Sequence, residues 1–215
     1  MRIKALIQAL TGTSHIVCES IETDAAETIN IIAHPDRKSQ YRCGICGKKS
    51  PRYDNGGGTR KWRCLDTGEA KAYVVAEAPR VCCKEHGVVT AFVPWARHKS
   101  RFCSSFEDTV AWLAVNSTKK CVAELMRIEW HTVGEMISRV YKELEKKPSI
   151  HFDNLVNIGI DETSYKKGHK YMTVVVNHDT NSVIWCSIGH KKEVLQKFFD
   201  GLTPEQRESI RCVSA

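Results

Sequence analysis

The chain has 215 residues, room for roughly one to two ordinary domains, or more if some are small. Lys plus Arg number 32 against 25 Asp plus Glu, and this net charge of +7 favours a polyanionic partner without speaking to fold. No segment is low in complexity, no apolar run approaches the ~18 residues of a membrane span, and the short apolar stretch 3–10 carries Gln8 and lacks a small-residue cleavage site. A cytoplasmic location is expected, where the ten cysteines do not form disulfides and metal binding is the better account of any that cluster.

Ile3, Leu6, Ile7 and Leu10 recur at helical spacing, and Thr11-Gly12 ends that helix. His15 to Ile21 and Thr28 to Ala33 are rich in β-branched residues and flank an acidic turn, which reads as a hairpin. Cys43-Gly44-Ile45-Cys46-Gly47 is then a CxxCG knuckle, and Cys83-Lys84-Glu85-His86-Gly87 repeats its geometry as CxxHG. Glycine lets the backbone fold tightly enough for its amides to face the thiolates. Together Cys43, Cys46, Cys83 and His86 supply three thiolates and an imidazole, a closed tetrahedral set suited to structural zinc. Two strand-like runs, Thr59 to Leu65 and Ala70 to Ala78, lie between the knuckles and complete a zinc ribbon. Buried free cysteines are the alternative, and Cys82 in place of Cys83, or Cys64 as a further member, stay open.

The basic run Trp95 to Arg101 reads as a linker. Phe106 to Val115 follows as a helix, with Ser104-Ser105 as N-cap candidates and Glu107 and Asp108 in the first turn, where negative charge is favoured. Lys119 to Tyr141 fits a helix-turn-helix template. Ala123 stands at the small-residue position, and Val122, Met126, Ile128, Val133 and Met136 fall where two helices close on each other. Arg127 occupies the turn where glycine is usual, which a non-glycine can do at a cost of roughly 1 kcal/mol or more. This arrangement exposes His131, Thr132 and Arg139 toward base edges or phosphates, and Lys119 and Lys120 toward the backbone. An amphipathic hairpin that only packs against neighbours is the alternative, and Glu129 and Glu135 weaken the electrostatics.

Lys146-Lys147-Pro148 stops the last helix, and Ser149 to Asp153 is a linker. Strands at Leu155 to Ile160, Lys170 to Asn177 and Ser182 to Ile188 form an antiparallel meander. A helix at Lys191 to Asp200, a short helix opened by Thr203-Pro204 and a further strand in Ser209 to Ala215 complete the chain. Asp161 ends the first apolar run, and a residue ending such a strand points into the crevice where ligands sit. An Asp that merely starts a turn is the alternative.

The two knuckles, the run Phe106 to Glu145, and Ile158-Gly159-Ile160-Asp161-Glu162 with Lys167-Gly168-His169-Lys170-Tyr171 together resemble the bacterial insertion-sequence transposases of the ISL-three type. The resemblance implies a multidomain α+β chain: an N-terminal β/zinc-ribbon domain (1–95), a helix-turn-helix DNA-binding domain (100–147) and the N-terminal part of a ribonuclease H-like catalytic domain (150–215). It implies a site in which Asp, Asp and Glu hold two Mg²⁺ ions, stabilising both the attacking and the leaving oxygen of a phosphoryl displacement. Asp161 maps onto the first carboxylate, as a catalytic and magnesium-binding residue. The second and third have no counterpart here; as a separate departure, Asn177 stands where Asp is expected, at a position not taken as catalytic. The reading is therefore a transposase fragment, inactive alone, that binds double-stranded DNA at terminal inverted repeats, with homo-oligomerisation left open. The rivals are a DNA-binding inhibitor of transposition and a zinc-ribbon adaptor without DNA affinity.

Overall fold

The computed structural model describes residues 3–25, 27–144, 152, 154–166 and 168–214. The chain divides into two compact units, Met1–Leu144 and Glu145–Ala215.

In the first unit α1 (Ile3–Thr11) is followed by the antiparallel pair β1 (Ile16–Thr23) and β2 (Ile29–Pro35). The expected helix and hairpin are both present. β3 (Arg52–Asp54), β4 (Thr59–Arg63), β5 (Ala72–Glu77), β6 (Arg80–Cys83) and β7 (Gly87–Thr90) follow, but they divide between two sheets. β5 pairs parallel with β2 and antiparallel with β4, giving the order β1-β2-β5-β4, whereas β3, β6 and β7 form a separate three-stranded sheet. The runs 59–65 and 70–78, expected inside the zinc ribbon, thus belong to the hairpin's sheet. Their apolar residues explain why: Ala72, Val74 and Trp62 are buried with Ile7, Ile31 and Trp95 in one core, and the Trp62 and Trp95 rings meet edge to face at 5.6 Å.

The run 95–101 is no loose linker. Trp95 is fully buried, and the Arg63 amide donates to the Arg101 carbonyl (2.9 Å) while Cys103 donates back to Arg63 (2.8 Å). Three helices follow: α2 (Ser104–Asn116), α3 (Lys119–Met126) and α4 (Trp130–Leu144). Phe106, Val110, Val122, Ala123, Val133 and Met136 form their core, with Met126 and Ile128 partly buried against it. The expected buried residues are therefore inward, joined by two from α2. The N-cap of α2 is Cys103, with no side-chain cap bond, rather than Ser104 or Ser105. Thr118 caps α3, accepting from the Cys121 amide.

In the second unit β8 (Asn157–Lys166), β9 (Lys170–Asn177) and β10 (Ser182–Ile188) form the meander; α5 (Lys192–Asp200) and α6 (Pro204–Ser209) lead to β11 (Cys212–Ser214). β11 returns parallel to β8, giving the order β10-β9-β8-β11. Phe198 of α5 packs on Leu155, Ile158 and Val175, and Thr203 with Gln206 makes a capping box for α6. The strand expected to end at Ile160 continues to Lys166, because β9 pairs with it along its whole length. Asp161 is consequently within β8, opposite Val174, and not at its end.

The expected stop at Lys146-Lys147-Pro148, all but Phe152 of the expected linker Ser149 to Asp153, and Lys167 lie outside the described residues. Among the described residues no helix is long and apolar enough to cross a membrane.

Candidate nucleic-acid interface and metal centre

The two knuckles converge. The Sγ atoms of Cys43, Cys46 and Cys83 and a ring nitrogen of His86 all lie within 4.8 Å of one another. A zinc ion holding sulfurs at about 2.3 Å in a tetrahedron separates them by about 3.8 Å, and sulfur from nitrogen by about 3.6 Å. The chain places Cys46 Sγ 3.8 Å from Cys83 Sγ, and His86 Nδ1 3.6 Å from Cys83 Sγ and 3.8 Å from Cys43 Sγ. The donor set and its spacing fit zinc, and four protein donors leave no position for substrate. The Ile45 amide faces Cys43 Sγ at 3.4 Å. His86, followed by the Glu85 backbone amide, holds the Cys83 thiol down to about 6. Gly47 and Gly87, at φ +71° and +65°, supply the left-handed turns that close each knuckle.

The open cysteines resolve as well. Cys82 is exposed and stands on the opposite side of β6 from Cys83. Cys64 faces Cys103, their sulfurs 3.0 Å apart in the core, so neither joins the metal donors. The hydrogen bond with Cys64, followed by burial, pushes the Cys103 thiol far up.

In the helical unit Arg127 takes the turn in the left-handed region, φ 54° and ψ 48°, and its amide caps α3 by donating to Ala123 and Glu124. The guanidinium secures that conformation by pairing with Asp66 and donating to the Glu69 carbonyl (2.8 Å). Arg63 donates to the Arg127 carbonyl (2.9 Å) and also holds Asp66. The turn is thereby fastened to the loop after β4.

His131 is exposed and Thr132 half-buried in the first turn of α4, the part of a recognition helix that meets base edges. Lys119 and Lys120 are exposed in the first turn of α3, with Lys119 Nζ close over Gly134 of α4. Positive charge at a helix N-terminus is disfavoured by the helix dipole, typically by 0.3–1 kcal/mol, so the position calls for a compensating partner. Trp130, two-thirds exposed at the start of α4, stands beside His131.

Arg139 is placed differently from expectation. It donates to Glu107 from Nε at 2.8 Å, and its NH2 stands in ion-pair contact with the same carboxylate oxygen, also at 2.8 Å. Glu107 is completely buried. It also accepts from Ser100 Oγ (2.7 Å) and Arg97 NH1 (3.3 Å), and Arg97 reaches on to Asp108 (2.7 Å) and Glu143 (2.6 Å). Glu107, expected to act on the helix dipole, is the centre of an ion cluster joining 97–100, α2 and α4. Arg139 belongs to that cluster and is not a free base reader.

Asp161 is exposed on the face of β8 opposite the buried Ile158 and Ile160 side, and accepts from the Glu162 amide (2.8 Å). It belongs to no group of three or more metal donors among the described residues. Asn177 is buried and accepts from the amides of Asp179 and Thr180. Asp179 holds the start of β8 through Asn157 (2.7 Å). Both therefore shape a turn.

Three family models match in succession: residues 39–86 a zinc-finger of transposase IS204/IS1001/IS1096/IS1165, residues 93–141 the helix-turn-helix domain of transposase family ISL3, and residues 158–215 a transposase domain. The chain is 47% identical over 221 residues to the transposase for insertion sequence element IS1557 of Mycobacterium tuberculosis, a match covering 100% of this chain and 50% of that one. It is 24% identical over 214 residues to the transposase for insertion sequence element IS1001 of Bordetella parapertussis, covering 98% and 52%. The chain spans about half the length of the curated relatives it matches. Over residues 39–86, 93–141 and 158–215 the chain thus carries, in that order, segments that match the zinc-finger, helix-turn-helix and transposase models of ISL3-type transposases.

Proposed function

We propose that this chain is the end-binding portion of an insertion-sequence transposase, acting in the cytoplasm on the double-stranded DNA of its element's terminal inverted repeats. α4 enters the major groove with His131 and Thr132 at base edges, while Lys119 and Lys120 hold phosphates. Cys43, Cys46, Cys83 and His86 hold structural zinc, and Arg139 supports the helices from behind through Glu107. The observation that carries the reading is the exposed first turn of α4, set by a fixed left-handed turn beside two lysines that have no carboxylate partner among the described residues. A gel-shift series at moderate salt tests it: Lys119→Ala and Thr132→Ala weaken binding while leaving thermal stability unchanged. Parental affinity in both variants contradicts the assignment.

Asp161 is the first of three carboxylates that in an active enzyme hold two Mg²⁺ ions for strand cleavage and transfer. The strand order β10-β9-β8-β11, with β11 running parallel beside Gly159, supports a ribonuclease H-like sheet in which a second carboxylate reaches Asp161 from the β11 side. One carboxylate cannot hold two such ions, so the chain alone is expected to bind DNA without cleaving it. Strand cleavage with Mg²⁺ or Mn²⁺ that Asp161→Ala abolishes contradicts this.

A further inference from the structure

The net positive charge of the chain is not on the helix-turn-helix. Residues 1–103 carry seventeen Lys and Arg against ten Asp and Glu; residues 104–144 carry five against six, and 145–215 ten against nine. The helical segment is therefore close to neutral, and the excess of +7 lies before it. Non-specific DNA affinity comes almost entirely from phosphate neutralisation, so a near-neutral reading head needs a second contact.

One cleft gathers part of that charge. A cavity of about 910 Å³ runs between β4, the 96–101 segment and the first zinc knuckle, and no Asp or Glu lines it. Several guanidiniums of this unit are neutralised: Arg63 and Arg127 by Asp66, Arg139 by Glu107, and, within the cleft's own lining, Arg80 by Asp54 and Arg97 by Glu107. Arg60, Lys99 and Arg101 line the cleft, are exposed, and have no ion pair among the described residues. The pairing of Arg63 with Phe102 brings Arg101 alongside β4, the strand that carries Arg60. Lys99 sits at φ +64°, a conformation that a side-chain-bearing residue rarely adopts and that concentrates at ligand-holding positions. Gly44 of the knuckle forms the opposite wall, with room for no side chain: an added Cβ would stand 2.5 Å from the Thr90 carbonyl and 2.9 Å from His98.

We propose that this cleft is a second DNA-binding site, which takes the sugar-phosphate backbone of duplex flanking the stretch read by α4, with Arg60, Lys99 and Arg101 as the phosphate contacts. The proposal rests on the DNA-binding reading given above and adds to it where the affinity comes from. The zinc site serves the cleft by fixing the wall at Gly44-Ile45.

The test is fluorescence anisotropy of the full zinc-loaded chain on a 30-base-pair mixed-sequence duplex, from 0.05 to 0.3 M KCl. Loss of three phosphate contacts reduces the slope of log affinity against log salt by about 2–3, and weakens binding at 0.15 M on the order of a hundredfold. That is the expected behaviour of R60A/K99A/R101A, with zinc content and melting unchanged. H131A/T132A is expected to keep the parental slope. If the triple variant keeps affinity and slope while H131A/T132A loses binding, the cleft proposal is overturned and the helix reading stands. If H131A/T132A binds like the parent while the triple variant fails, the cleft stands and the helix reading falls. A parent that does not bind the duplex overturns both. Should the triple variant not fold, amide exchange on the unmodified chain decides: protection of 59–63 and 97–103 on adding DNA supports the site, and no protection there overturns it.

Discussion

Glu107→Gln is the substitution with the largest structural consequence outside the metal site. The carboxylate is wholly buried, accepts from Ser100, Arg97 and Arg139 Nε at 2.7–3.3 Å, and also pairs with Arg139 NH2. Gln keeps the shape, removes the charge and turns two acceptors into one, leaving Arg139 at 26% exposure facing an amide. Removing one partner of a buried ion pair typically costs about 3–5 kcal/mol. Arg97 retains Asp108 and Glu143, both half-exposed, so the loss belongs at the lower end, about 3 kcal/mol. For a chain of this size that is a fall in Tm of roughly 6–12 °C. Native-state amide exchange in α2 and α4 is the assay, because it reports this unit separately from residues 154–214. The exposed Glu135→Gln, whose carboxylate stands 3.8 Å from Arg139, is the control and should change stability by no more than about 0.5 kcal/mol. A Glu107→Gln loss below about 1 kcal/mol would refute the reasoning, and with it the assignment of Arg139 to support.

Cys46→Ser, or chelation of zinc, should release the metal and unfold the knuckles around β3, β6 and β7, since closed zinc sites supply apparent energies of ~10–16 kcal/mol in small domains; zinc quantification by mass spectrometry with circular dichroism checks this, and an intact fold without metal contradicts it. Alkylation should label the exposed Cys82, Cys121, Cys186 and Cys212 quickly in the native chain and spare Cys64 and Cys103, whose sulfurs are buried together; fast labelling of Cys64 contradicts that placement. His15, and then Ser39, hold the Asp36 carboxyl at about 2, below its usual 3.8. A lowered carboxyl contributes stability that is complete above the unfolded value and lost as pH falls through the folded one, so Asp36→Asn should remove stability at neutral pH and flatten the acid loss between about pH 4 and 2, read by denaturation against pH.

What the sequence makes legible is what is local. Each knuckle fixes its own turn within five residues, so Cys43, Cys46 and His86 follow from spacing, whereas the choice of Cys83 over Cys82 and the exclusion of Cys64 need the fold. The Arg127 turn and the inward residues of α3 and α4 follow from a pattern of some twenty residues. Partners remote in sequence are not written this way. β-branched runs mark β4 and β5 as strands, yet nothing local says that β5 pairs with Ile29 to Ile32 and so leaves the ribbon. Glu107 looks like a first-turn carboxylate because its partners lie ten and thirty-two residues away. The apolar run stops at Ile160 while the strand does not: Glu162 to Ser164 stay paired with Tyr171 to Thr173 after the core beneath has ended. Hydrophobicity reports burial, and strand length is set by the ladder.

The most direct test of the central claim, that α4 reads DNA sequence from its first turn, is selection of bound duplexes from a random pool by the full zinc-loaded chain. The account expects the parent to enrich a defined motif. His131→Ala/Thr132→Ala should lose preference at the positions those residues read, about 1–3 kcal/mol per base contact, while Arg139→Ala keeps the motif and lowers stability. An unenriched pool, or a motif unchanged in the double variant, would contradict it.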